Sequence, residues 1–270
     1  MITRANFRIF IYLTISMLLL AAIHVARAEE AAEEKGLRIA QEMKNRDMGW
    51  KNSTSDLTMI LYNKQGESTT RKIRTKALEV NRDGDKSLLI FDSPPDVKDT
   101  VFLSIAHKTQ DDDQWIYLPA LKRVKRIASS SKGGSFMGSE YSYEDMSTPI
   151  LEKYSYLYIQ DETFQSRPVF VVERMPKDPY SIYNKQVSWI DTELYIPWRI
   201  DFYDKANNMV KTMTLRRYKQ YQGKYWRPGE TEMVNHQTGK RTVLVSENIT
   251  FRTDKVSEQD FNPSALNKHH

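Results

Sequence analysis

The chain has 270 residues, 40 of them basic and 35 acidic, for a formal net charge of +5, and it contains no cysteine. The missing cysteine excludes disulfides, thiolate metal centres and a lipid-modified N-terminal cysteine. Aromatic residues make up 11%, with Tyr the commonest, which favours a β-rich domain over a helical bundle.

The chain opens as a secretion signal. Arg4 and Arg8 give a positive start, and residues 9–25 are an apolar run broken only by Thr14, Ser16 and His24. Ala26, Arg27 and Ala28 then supply a small-x-small cleavage pattern. An uncleaved anchor is the competing reading, because the run is only slightly short of the roughly 20 residues a spanning helix needs. The position of the Ala-Arg-Ala site favours cleavage after Ala28, leaving a single domain over 29–270 in the periplasm. Cleavage removes three arginines and no acid, so 37 basic residues face 35 acidic ones. The positive charge therefore belongs mainly to the targeting segment, and nucleic-acid binding is not expected.

Residues 29–48 have helical character, with Ala31, Ala32, Leu37, Ile39, Ala40 and Met43 near one face. Period-two alternation follows. Leu57, Met59 and Leu61 point one way, the 63–67 turn reverses the chain, and residues 70–80 answer it. Further strands are expected at 87–91, 100–107, 114–118, 123–127, 154–160, 168–175, 185–191, 195–203, 209–221, 225–235 and 241–251, with short helices at 139–146 and 256–261. The fold class is mainly β (α+β). A dozen strands in up-and-down order imply one large antiparallel sheet, which curls into an incomplete barrel rather than staying flat. Its concave face needs cover, and the N-terminal and short helices are what the chain offers.

Few groups have the spacing that chemistry requires. His107, His236, His269 and His270 are scattered, so no metal centre is expected. Asp111, Asp112 and Asp113 lack the glycine turn and distal Glu of a calcium loop and read as a hairpin tip. Ser129 to Gly134 lacks the Lys-Ser/Thr ending of a phosphate loop. Glu144 with Asp145, and Asp191 with Glu193, offer paired carboxylates whose separation a sequence does not give. Neither a catalytic centre nor a cofactor is expected.

The stretch 114–146 carries the most information. Trp115, Tyr117, Leu118 and Pro119 lead into the basic run Lys122, Arg123, Lys125 and Arg126. The loop Gly134-Ser135-Phe136-Met137-Gly138-Ser139 and the pair Glu144-Asp145 follow. This order of parts resembles the signature of the outer membrane lipoprotein-sorting proteins, a bacterial envelope family similar to the periplasmic lipoprotein carriers of the LolA-like superfamily. The resemblance implies a lipid-carrier fold without a catalytic centre, and partnership with inner-membrane export machinery such as an efflux-type lipid transporter.

On that reading the ligand is a lipid or lipoprotein acyl chain, the protein is a monomer, and the hollow of the sheet holds the chain. The expected lining is Leu57, Met59, Leu61 and Leu103, the stripe Ile196, Trp198, Ile200 and Phe202, and Phe136 and Met137 from the loop. The stripes fit core packing and cavity lining equally well, since both use one surface. Phe136 and Met137 are either anchors tucked under the sheet or a lid over its mouth, the anchor being the simpler reading. Tyr154, Tyr156 and Tyr158 are expected on the outer or rim side. A rival reading is a non-catalytic envelope scaffold with a filled core and a partner docked on the basic strands. A third is a hydrolase using Glu144 or Asp145.

Overall fold

The computed structural model describes residues 27–269. His270 and all but the last two positions of the expected signal segment lie outside the described residues. Residues 27–47 form a helix, α1. The strands follow as β1 (Asn52–Tyr62), β2 (Ser68–Leu78), β3 (Lys86–Ser93), β4 (Val101–Ile105), β5 (Asp113–Leu118) and β6 (Arg123–Ile127). After a long connection come β7 (Tyr154–Phe164), β8 (Arg167–Pro176), β9 (Tyr183–Asp191), β10 (Pro197–Asp204) and β11 (Met209–Arg216). The short pair β12 (Lys219–Tyr221) and β13 (Tyr225–Arg227) precedes β14 (Glu230–Asn235) and β15 (Arg241–Phe251).

Thirteen strands build one open antiparallel sheet in the order β6-β5-β4-β3-β2-β1-β15-β14-β11-β10-β9-β8-β7. Two meanders meet where β1 pairs with β15, Met59 opposite Leu244. A simple up-and-down order would place β6 beside β7. Instead they are the two free edges, and residues 128–153 run between them across one face of the sheet, the inner face. The expected strands 209–221 and 225–235 each divide in two. Arg217 takes a left-handed φ of 57°, and Pro228 has no N–H to give to a ladder. β12 and β13 therefore form a separate hairpin.

Of the helix expected at 139–146 only the 3-10 turn Glu144–Met146 forms, with a separate turn at Phe136–Gly138 before it. The stretch is too short to repay helix nucleation, and its serines and Asp145 hydrogen-bond the local backbone instead, Asp145 accepting from the Ser142 N–H. Its apolar residues are nonetheless deeply placed. Phe136 and Tyr141 join Leu57, Met59, Ile73, Phe91, Phe102 and Phe202 in the main core.

On the opposite, outer face, Val256, Phe261 and Leu266 of the C-terminal segment cover Leu88, Ile90, Val101 and Leu103. The short helix expected at 256–261 exists as the turn Glu258–Phe261, opened by a capping box between Ser257 and Asp260. It covers the outer face and not the concave one, and Lys76 ties it down through Asp260 at 2.6 Å.

The helix α1 packs Ile39 and Ala40 on Tyr156, Val172 and Ile190. Leu37, expected on the packed face, is 48% exposed. Gly36 is buried where helix and strand touch: a Cβ there would sit 2.8 Å from the backbone nitrogen of Tyr158. The tyrosine stripe of β7 was expected on the outer or rim side, yet Tyr156 is buried beneath α1.

Candidate binding cavity

The segment 128–153 fills one part of the inner face and leaves another part open. Phe136 is its anchor. No part of the side chain reaches solvent, and its ring meets Phe102 at 4.9 Å, Tyr143 at 5.6 Å and Phe91 at 6.2 Å between centroids. Next to it, the Met137 carbonyl accepts a hydrogen bond from Arg71 on β2.

Glu144 and Asp145 secure the far end. The Glu144 carboxylate accepts from the Ser181 hydroxyl and from the Ile182 N–H at 3.0 Å, and burial holds its pKa above the usual carboxylate value. Asp145 accepts from the Ser142 N–H at 2.7 Å and from the Tyr183 hydroxyl at 3.0 Å, with Lys211 3.5 Å away. Desolvation and the Asp145 charge push the Tyr183 pKa up, so the phenol stays a donor. Glu144 thus holds the segment to the β8–β9 loop and Asp145 holds it to β9 and β11, an anchoring role that accounts for the burial of both. Asp191 likewise caps the N–H groups of Glu193 and Leu194 at 3.0 and 2.9 Å.

Between α1 and strands β7–β11 a cavity of about 580 Å³ remains, within the range of roughly 300–1,000 Å³ typical of small-molecule sites. Its apolar wall includes Met43, Tyr156, Val172, Ile190, Ile196, Ile200 and Leu215, and the aromatic side chains of Trp50, Tyr218 and Trp226 also line it. The strand register explains why these meet. Val172 pairs with Ser188, Ser188 with Ile200, and Ile200 with Met213, one inner-face row across four strands. Desolvation raises the Tyr156 pKa to about 12, so its hydroxyl is neutral and donates to the Leu151 carbonyl at 3.3 Å.

The rim is charged. Arg227 pairs with Asp47, and Glu79 accepts from the N–H groups of Gly49 and Lys51 at 2.6 and 2.7 Å. Desolvation first, then the Glu79 and Asp47 charges, raise the Asp85 pKa to about 6, although its carboxylate accepts from the Val80 N–H. A second, more polar cavity of about 190 Å³ lies under the segment. It shares Thr148, Pro149, Ile150, Arg174 and Ile200 with the first.

Of the residues expected to line a ligand site, Ile196 and Ile200 border the large cavity, and Ile200 and Phe202 the small one. Leu57, Met59 and Leu61 pack against Phe136 and Met137 of the crossing segment. Two expectations need correction. Leu103 is buried on the outer face against the C-terminal segment, because its neighbour Phe102 takes the inward position. Trp198 borders neither cavity. A register shift between Pro197 and Arg199 breaks the period-two pattern, and the indole N–H donates to Asp191 at 3.1 Å with Arg167 stacked above the ring at 4.6 Å.

Tyr156, Val172, Ile190, Leu215 and Arg174 were not anticipated. Alternation on β7 and β8 pairs Tyr156 with Arg174 and Tyr158 with Val172, a usable signal. Reading it required knowing where α1 docks. Among the described residues, no group of three or more His, Asp or Glu side chains is placed to hold a metal ion.

Comparison with known proteins accords with this architecture. A family model described as "Uncharacterized protein" matches residues 83–268. A domain from Vibrio parahaemolyticus described as an outer membrane lipoprotein-sorting protein is 51% identical; the alignment covers 87% of this chain and 99% of that one, with a TM-score of 0.85. A DUF1329 family protein from Desulfovibrio piger is 30% identical over 87% and 99% of the two chains, with a TM-score of 0.82. A LolA superfamily protein from Nitrosomonas europaea shares the fold, with a TM-score of 0.64 over 87% of this chain and 97% of that one at 14% identity. No curated protein matches the chain.

Proposed function

The chain belongs to the outer membrane lipoprotein-sorting family and has a LolA-like fold, and from that premise we propose that it is a periplasmic, non-catalytic carrier of lipid or lipoprotein acyl chains. The observation that carries this reading is the 580 Å³ cavity left between α1 and the sheet, walled by Val172, Ile190, Ile196, Ile200 and Leu215. Each methylene removed from water there contributes about 0.8 kcal/mol, and an acyl chain makes no hydrogen-bonding demand on the wall. Secretion with cleavage after Ala28 places the protein where such a cargo needs shielding between two membranes. It acts as a monomer.

Its expected partner is an efflux-type lipid transporter of the inner membrane. The exposed edge strand β6, with Arg123, Lys125 and Arg126 all turned to solvent, is the surface such a partner would use. The scaffold reading draws support from a different observation: beneath the Phe136 end of residues 128–153 the inner face is packed by Leu57, Met59, Phe91 and Phe102. That packing adjoins the cavity at Ile200, which touches both. The carrier reading is tested by uptake of a fluorescent fatty acid and by native mass spectrometry for co-purified lipid. Ile200→Glu should weaken uptake at least tenfold while leaving the far-ultraviolet circular dichroism unchanged. Absence of uptake by the wild-type protein would overturn the proposal.

A further inference from the structure

The cavities are lined by many charged side chains, and nearly all are matched. Lys44 and Lys108 lie 3.8 and 3.9 Å from Glu152. Arg46 meets Glu42, Arg227 meets Asp47, Lys153 meets Asp112, and Lys132 meets Asp178. Lys224 donates to the Met48 carbonyl. Arg174 differs from all of these. It stands on the inner face of β8, half-buried, and borders both cavities. Among the described residues no carboxylate lies within ion-pair distance of it.

Its Nε donates to the neutral Gln186 amide oxygen at 2.6 Å. Its guanidinium carbon sits 4.8 Å from the Tyr154 ring centroid, so the charged fork is stacked and held in place. Neither terminal nitrogen donates to an acceptor among the described residues. The terminal nitrogens of this half-buried guanidinium remain free to donate, and a guanidinium fork matches a carboxylate or phosphate two bonds at a time. Beyond it, the small cavity offers polar groups from Gln114, Ser129, Ser147 and Thr148, a setting for a headgroup and not for a hydrocarbon tail. It also carries Asp111, Asp112, Glu144, Asp145 and Asp178, of which Asp112 is paired with Lys153, Asp178 with Lys132, Glu144 with Ser181 and Asp145 with Tyr183.

We infer that Arg174 is the headgroup anchor of the site, and that the cargo is an anionic amphiphile. Its tail lies in the large cavity and its carboxylate or phosphate is bound at the junction with the small one. The inference rests on the carrier reading and narrows its cargo class.

The test is isothermal titration calorimetry of the purified protein with dodecanoate, dodecyl phosphate and dodecanol. Wild type should bind at least one anion tenfold or more tighter than the alcohol, and the tighter of the two identifies carboxylate or phosphate as the headgroup. Arg174→Gln should bring the anions to the level of the alcohol without weakening the alcohol itself. Arg174→Lys, which keeps the charge and loses the fork, should retain part of the preference. Unchanged thermal unfolding shows that each variant is folded. Equal binding of anions and alcohol by wild type overturns the headgroup assignment and leaves the carrier reading standing. So does an equal loss for all three ligands in Arg174→Gln. Binding of none of the three by wild type overturns both.

Discussion

Phe136→Ala separates an anchored segment from a mobile lid. The side chain is wholly buried, with three aromatic rings within 6.2 Å of its own. Truncating such a group costs about 3–5 kcal/mol through lost transfer energy and the cavity left behind. For a domain of this size each kcal/mol lowers the melting temperature by roughly 2–4 °C, so a fall of about 6–20 °C is expected. Thermal unfolding followed by circular dichroism measures it directly. Hydrogen exchange gives a second reading, because the Phe136 N–H donates to the Tyr141 carbonyl at 2.7 Å and the Tyr143 N–H to the Gly134 carbonyl at 3.0 Å. In wild type these amides should open only with the whole sheet. A melting temperature within about 2 °C of wild type, with only these two amides exchanging faster, would refute the argument: the segment would then lift off without disturbing the core.

Two further substitutions probe the docking of α1 and the rim of the cavity. Gly36→Ala raises helix propensity by about 1 kcal/mol, yet the new methyl would stand 2.8 Å from the Tyr158 nitrogen and 2.9 Å from the Leu157 carbonyl carbon. Net destabilisation on urea denaturation is therefore expected, and stabilisation would show that α1 does not dock this tightly. Asp85→Asn tests the raised carboxyl pKa. A group favouring its neutral form in the folded state contributes stability that is full below pH 3.8 and falls as pH rises to about 6. The Asn variant keeps an acceptor for the Val80 N–H and lacks this loss. It should gain on wild type between those pH values by at most about 3 kcal/mol and hold a constant lead above them. Parallel stability curves from pH 4 to 7 would contradict the assignment.

The sequence by itself determined most of the strands, because alternation over Leu57, Met59 and Leu61 or across Ile200 and Phe202 reports local backbone period directly. It also determined the family, through the contiguous signature from Trp115 to Asp145. What covers each face was decided only in three dimensions. Period two says which side chains of a strand share a face, and it does not say which face that is. Leu103 and Phe102 therefore looked interchangeable until the C-terminal segment covered one and Phe136 the other. The bulge that turns Trp198 aside is a register shift between partners, invisible within one strand. The separation of β6 from β7, which forces residues 128–153 across the sheet, arises from long-range pairing of β1 with β15. The cavity itself is what remains after that segment and α1 have packed, so its volume and its unmatched Arg174 are properties of the assembled fold. No local pattern in the chain encodes a leftover space.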